Sequence, residues 1–106
     1  MDFMMYMPKL DEDAILIHQR LLMIGSTNNF AYDSTLQAQN ELLGMGKYIV
    51  GHLLNAWENP PSKGVSFSTS RFYNNLNRIL ITMIERGDLS IEQLSRYRRL
   101  ITSEKF

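Results

Sequence analysis

Residues 65–100 read VSFSTSRFYNNLNRILITMIERGDLSIEQLSRYRRL, and their spacing decides the fold class. Phe72, Tyr73, Leu76, Ile79, Leu80, Met83 and Ile84 fall on one side of a 3.6-residue period. Arg71, Asn74, Asn75, Arg78, Thr82 and Glu85 fall on the other. Ser68 or Thr69 supplies an N-cap, which predicts a helix over 69–86. Gly87 and Asp88 end it, because a glycine past the last turn accepts a left-handed backbone. Ser90 followed by Gln93 is a capping box opening a second helix over 91–102. That helix is expected to bury Ile91, Leu94, Tyr97 and Ile101, to show Arg96 and Arg99 to solvent, and to carry Arg98 on its flank.

Outward from this hairpin, the first half of the chain also reads as helix. Asp11 is placed as an N-cap, with Glu12 and Asp13 in the turn where the helix dipole favours acids. Leu10, Ala14, Ile17, Leu21 and Ile24 recur at helical spacing up to Gly25, predicting a helix over 12–24. Ile15 and Leu22 widen its apolar face, and Leu16 and Met23 lie near its polar side. A turn-rich loop follows, with Phe30 and Tyr32 as its expected anchors. Ser34 and Gln37 form a capping box for a long helix over 35–58, which Asn59, Pro60 and Pro61 terminate. Gly44, Gly46 and Gly51 lie inside that run. Asn40, Gly44, Lys47, Gly51, Asn55 and Glu58 make an outer stripe opposite Leu42, Leu43, Ile49, Val50, Leu53, Leu54 and Trp57. The glycines mark either a close approach by a partner or second copy, or a bend in the helix. Residues 60–67 form a connector read as mobile. The expected architecture is all-α, an antiparallel four-helix bundle in a single domain over 1–106, with 1–9 flexible.

Composition narrows the function classes. The chain has 106 residues, no cysteine, and eleven acids against eleven Lys and Arg. Disulfides, thiolate catalysis and cysteine zinc sites are therefore excluded. The charges are segregated: residues 1–58 carry seven acids and three bases, residues 59–106 eight bases and four acids. Such asymmetry can steer a partner or favour association between copies. The start, MDFMMYMP, lacks the basic beginning and apolar length of a signal peptide. No segment approaches the roughly 18–20 apolar residues of a membrane span. The expectation is a cytoplasmic protein without membrane insertion.

No constellation of residues points to catalysis. His18 and His52 have no acid or second histidine at intrahelical ligand spacing, and both read as core-edge residues. The tract GMGKY lacks the spacing of a phosphate-binding loop and sits within a helical run. No G-x-S-x-G elbow occurs. Hence no catalytic residue, cofactor or metal ligand is expected. Arg96, Arg98 and Arg99 could contact nucleic acid as the second helix of a helix-turn-helix, but a solvated face explains them as well.

The segment 65–101 resembles the immunity proteins of pediocin-like (class IIa) bacteriocins. The resemblance lies in Ser66 and Ser68 before Phe72, Tyr73, Leu76, Ile79, Leu80 and Ile84, then Arg86-Gly87-Asp88-Leu89, and finally Ile91, Leu94 and Tyr97. It implies a small cytoplasmic four-helix bundle that protects a bacteriocin producer without catalysis. Its implied partner is the membrane sugar permease that the peptide targets, with specificity in the C-terminal half. On this chain the implied partner-binding residues are Arg71, Asn74, Arg78, Arg96 and Arg99. A regulator that binds a protein or DNA through the basic C-terminal helix, and an assembly of identical copies, remain alternatives.

Overall fold

Helical periodicity governs the whole of the computed structural model, which describes residues 2–27, 31–62 and 64–103, and among them the side chains of 13–27, 34–62 and 64–103. The helices are α1 (Asp2–Ile24), α2 (Ala31–Met45), α3 (Val50–Glu58), α4 (Thr69–Glu85) and α5 (Ile91–Ile101), with a 3-10 turn at Lys47–Ile49. Among the described residues there is no β-strand; a single antiparallel bridge joins Ser26 to Phe67.

The helix expected over 35–58 is two helices. Gly46 takes φ 84° and ψ −170°, a conformation almost restricted to glycine, and the chain bends there before the 3-10 turn. Of the two meanings offered for the glycines, the bend therefore holds at Gly46. A Cβ at Gly44 or Gly51 would meet nothing within 4 Å, so neither is packed closely against another part of the chain. The outer stripe is as read: Asn40, Gly44, Lys47, Asn55 and Glu58 are exposed and Gly51 half-buried.

Two helix starts differ from the sequence reading. α1 runs back to Asp2, so Asp11 lies within the helix and does not cap it. Met and Leu, frequent in 3–10, are strong helix formers, and the turn-like signal of Asp11 is overridden. α2 begins at Ala31, which puts Ser34 inside it as well. Phe30 and the side chains of Tyr32 and residues 1–12 lie outside the described residues, and with them the expectations of a loop anchor and of a flexible 1–9.

The capping chemistry of the last two helices is as the sequence predicts. The Ser68 hydroxyl accepts from the Arg71 N–H at 3.2 Å. Ser90 and Gln93 exchange both capping-box bonds, at 2.9 and 3.1 Å. After α4 the N–H of Asp88 reaches the Met83 carbonyl and that of Gly87 reaches Ile84, closing a Schellman motif around Gly87 at φ 77°.

The core forms where α4 meets the rest of the molecule. α4 packs on α1, α2 and α3, and α5 lies chiefly across α3. Ile24, Leu42, Ile49, Leu53, Leu54, Trp57, Phe72, Leu76, Leu80 and Met83 are fully buried. Each such side chain contributes roughly 1.5–3 kcal/mol by leaving water. Trp57 stacks at 5.1 Å on Tyr73 and at 6.5 Å, edge-on, on Tyr97, which joins α3, α4 and α5. The phenols keep partners: Tyr73 donates to the Trp57 carbonyl at 2.9 Å and Tyr97 to Asn77 Oδ1 at 2.5 Å. Burial pushes both phenol pKa values up.

Several side chains depart from their expected faces. Ile91 is 87% exposed and Ile15 59%, whereas Leu16 and Met23 are half-buried and Met23 packs on the core. The connector over 60–67 is pinned at its far end. Phe67 stacks on Phe72 at 5.4 Å, and the Thr27 N–H donates to Ser66 O at 3.0 Å.

Candidate functional site

The end of α1 sets the position of the first candidate arginine. A helix terminus leaves carbonyls without intrahelical partners, and here later elements supply the donors. Met23 O accepts from the Thr35 hydroxyl at 3.3 Å, Ile24 O from Asn75 Nδ2 at 2.7 Å, Gly25 O from the Ser68 N–H at 2.8 Å, and Ser26 O from Arg71 Nη1 at 3.2 Å. Asn75, expected on the exposed polar face, is therefore buried at 8% exposure, because α1 needs its amide. Arg71 is exposed, yet one nitrogen of its guanidinium is committed to α1.

Above this junction α2 and α4 leave a cleft of about 200 Å³, lined by Thr35, Leu36, Gln39, Arg71, Asn75 and Arg78. Arg71, Asn75 and Arg78 follow at i, i+4 and i+7, so they line one side of α4 over two turns, roughly 10 Å. Among the described lining residues the two titratable groups, Arg71 and Arg78, are both cationic. Asn74, also exposed, belongs to a neighbouring, more open depression with Asn77, Arg78, Ile81, Thr82 and Glu85. Arg78 stands between the two hollows. Thr35, Leu36 and Gln39 were not singled out by sequence reasoning. Exposed Leu36 on an amphipathic helix was the available signal.

Arg96 behaves differently. It was expected to face solvent, but its side chain is 30% exposed, donating to Asn55 Oδ1 at 2.8 Å and lying 3.5 Å from a Glu58 carboxylate oxygen. The cause is that α5 lies over the polar stripe of α3, whose acid and amide face it. Arg99 is exposed on α5. Arg71, Asn74 and Arg78 are thus gathered on α4, Arg71 and Arg78 in one cleft with α2, while Arg96 is engaged with α3 and lines neither hollow.

Elsewhere, Arg20 on α1 pairs with Glu41 on α2 and Gln37 donates to the same carboxylate at 3.1 Å. The hydrogen bond from Arg20 holds the Glu41 carboxyl below the usual carboxylate range. His18 and His52, read as core-edge residues, are both exposed. Among the described residues, no three His, Asp or Glu side chains are grouped to hold a metal ion, and no helix is long and apolar enough to cross a membrane.

Compared with protein-family models, curated proteins and solved structures, the chain matches none.

Proposed function

We propose that the chain is a non-enzymatic interaction protein of the bacteriocin-immunity kind. In this reading it works in the cytoplasm, on the membrane receptor that a class IIa bacteriocin targets. Its α2, 3-10 turn and α3 count as one bent arm of an antiparallel four-helix bundle. The observation that carries the reading is the division of α4. Phe72, Leu76, Leu80 and Met83 are spent on the core, while Arg71, Asn74 and Arg78 stand exposed beside open hollows. Arginines on such a surface favour a partner that presents carboxylates or phosphates, through paired N–H donors.

The test is expression in a bacteriocin-sensitive strain challenged with a panel of class IIa peptides. Protection against at least one peptide is expected, and sensitivity to all of them would sink the proposal. A second reading takes Arg98 and Arg99, exposed on α5, as contacts to DNA. It predicts a gel shift that weakens steeply with salt, and no shift at low salt would remove it.

A further inference from the structure

The α2–α4 cleft has a floor as well as a rim. Thr35 and Asn75 have their donors committed to α1 carbonyls. Gln39 lines the cleft beside them: the residue is only 6% exposed, and its amide atoms are not among those sealed from solvent. Over that floor stand Arg71 and Arg78, and among the described residues no acidic side chain shares the lining. Arg71 is tethered through Nη1 to Ser26, which fixes the guanidinium while leaving its other N–H donors available.

We infer that this cleft binds a single phosphoryl group of a small molecule, with Arg71 and Arg78 as the two cationic arms and the Gln39 amide as the floor donor. Two guanidiniums match a dianion better than a monoanion. A tetrahedral phosphoryl group also offers three oxygens to donors arriving from three directions, where a planar carboxylate offers two. The volume supports one seated group. About 200 Å³ is below the roughly 300–1,000 Å³ of sites that enclose a whole ligand. The remainder of the molecule would lie outside the cleft. This inference does not depend on the immunity reading, since it is tested on the purified chain, and either can fail alone.

The experiment is a titration of the isotopically labelled protein with inorganic phosphate and with O-phosphoserine, followed by NMR on the Gln39 amide and the arginine Nε–H signals. Ionic strength is held constant with sodium chloride, because bare screening moves exposed charges. The expected result is saturable shifts of Gln39, Arg71 and Arg78 with both phosphates. Affinity should fall at least about tenfold in R71Q and in R78Q, the loss of a charge-assisted hydrogen bond, and stay unchanged in R98Q. Q39L should also weaken binding; if it does not fold, the two arginine variants, both at exposed positions, still decide the matter. Non-saturating shifts would overturn the inference, as would affinity retained in R71Q and R78Q. Acetate binding as tightly as phosphate would overturn the phosphoryl assignment. A phosphoserine peptide binding far more tightly than O-phosphoserine would overturn the small-molecule source.

Discussion

Arg78 on α4 and Arg96 on α5 look alike in the sequence: each sits on the polar side of an amphipathic helix, between apolar residues that pack inward. The structure gives them opposite situations. Arg78 is exposed, between two hollows, and among the described residues no acid lines the cleft it shares with Arg71. Arg96 is bonded to Asn55 and lies beside Glu58, so much of its charge is spent within the molecule. The difference lies in the neighbouring helix: α2 presents Thr35, Leu36 and Gln39 to α4, whereas α3 presents an acid and an amide to α5. Of these two arginines, Arg78 is the one whose charge stays open at the surface.

The comparison can be broken first at the support of α4. Leu76→Ala removes a fully buried side chain and should destabilise the fold by about 2–5 kcal/mol in denaturant unfolding. A loss below roughly 1 kcal/mol would mean that α4 is not the central element. Asn75→Ala should cost about 1–3 kcal/mol, because the Ile24 carbonyl loses its partner. Asn74→Ala, one residue away and exposed, should cost nothing measurable. Equal effects would contradict the assignment of Asn75 to the end of α1. Gly46→Ala forces a side chain into a glycine conformation and should cost about 1–3 kcal/mol, whereas Gly44→Ala, helical and open, should stabilise slightly.

Smaller effects separate the two arginines. Arg96→Gln should lower stability by at most about 1 kcal/mol, the range of a partly exposed pair, and Arg78→Gln should leave it unchanged. The Arg20–Glu41 pair adds a pH signature. Its carboxyl has a lowered pKa in the fold, so the unfolded chain takes up protons first on acidification. The stabilisation is complete above the ordinary glutamate pKa and is lost as pH falls through and below it. Glu41→Gln should flatten the acid limb of a stability profile between about pH 5 and 3, and an unchanged limb would contradict the linkage.

These contrasts also mark how far the sequence could be read. What depends on local chemistry was legible: the caps at Ser68 and Ser90, the Schellman stop at Gly87, and the apolar stripe from Phe72 to Met83. What depends on a neighbouring element was not. Asn75 lies between Arg71 and Arg78 on a polar face and gives no sign that α1 ends against it. Arg96 gives no sign of Glu58, 38 positions earlier in the numbering. Ile91 keeps helical spacing with Leu94, yet it is 87% exposed at the start of α5. Gly46 was legible only as one of three glycines, because spacing cannot tell which of them takes a positive φ. Of the candidate site, the α4 arginines were visible as a face, but the cleft was not. Its other wall, with Thr35, Leu36 and Gln39, comes from a helix whose register against α4 no periodicity specifies.

The claim that α4 carries the interaction surface is tested most directly by protection of a bacteriocin-sensitive strain by three forms of the protein, expressed at equal levels. Wild type and R96Q should protect, and the R71Q/R78Q double variant should not. Protection retained by R71Q/R78Q but lost in R96Q would move the surface to α5 and contradict the account.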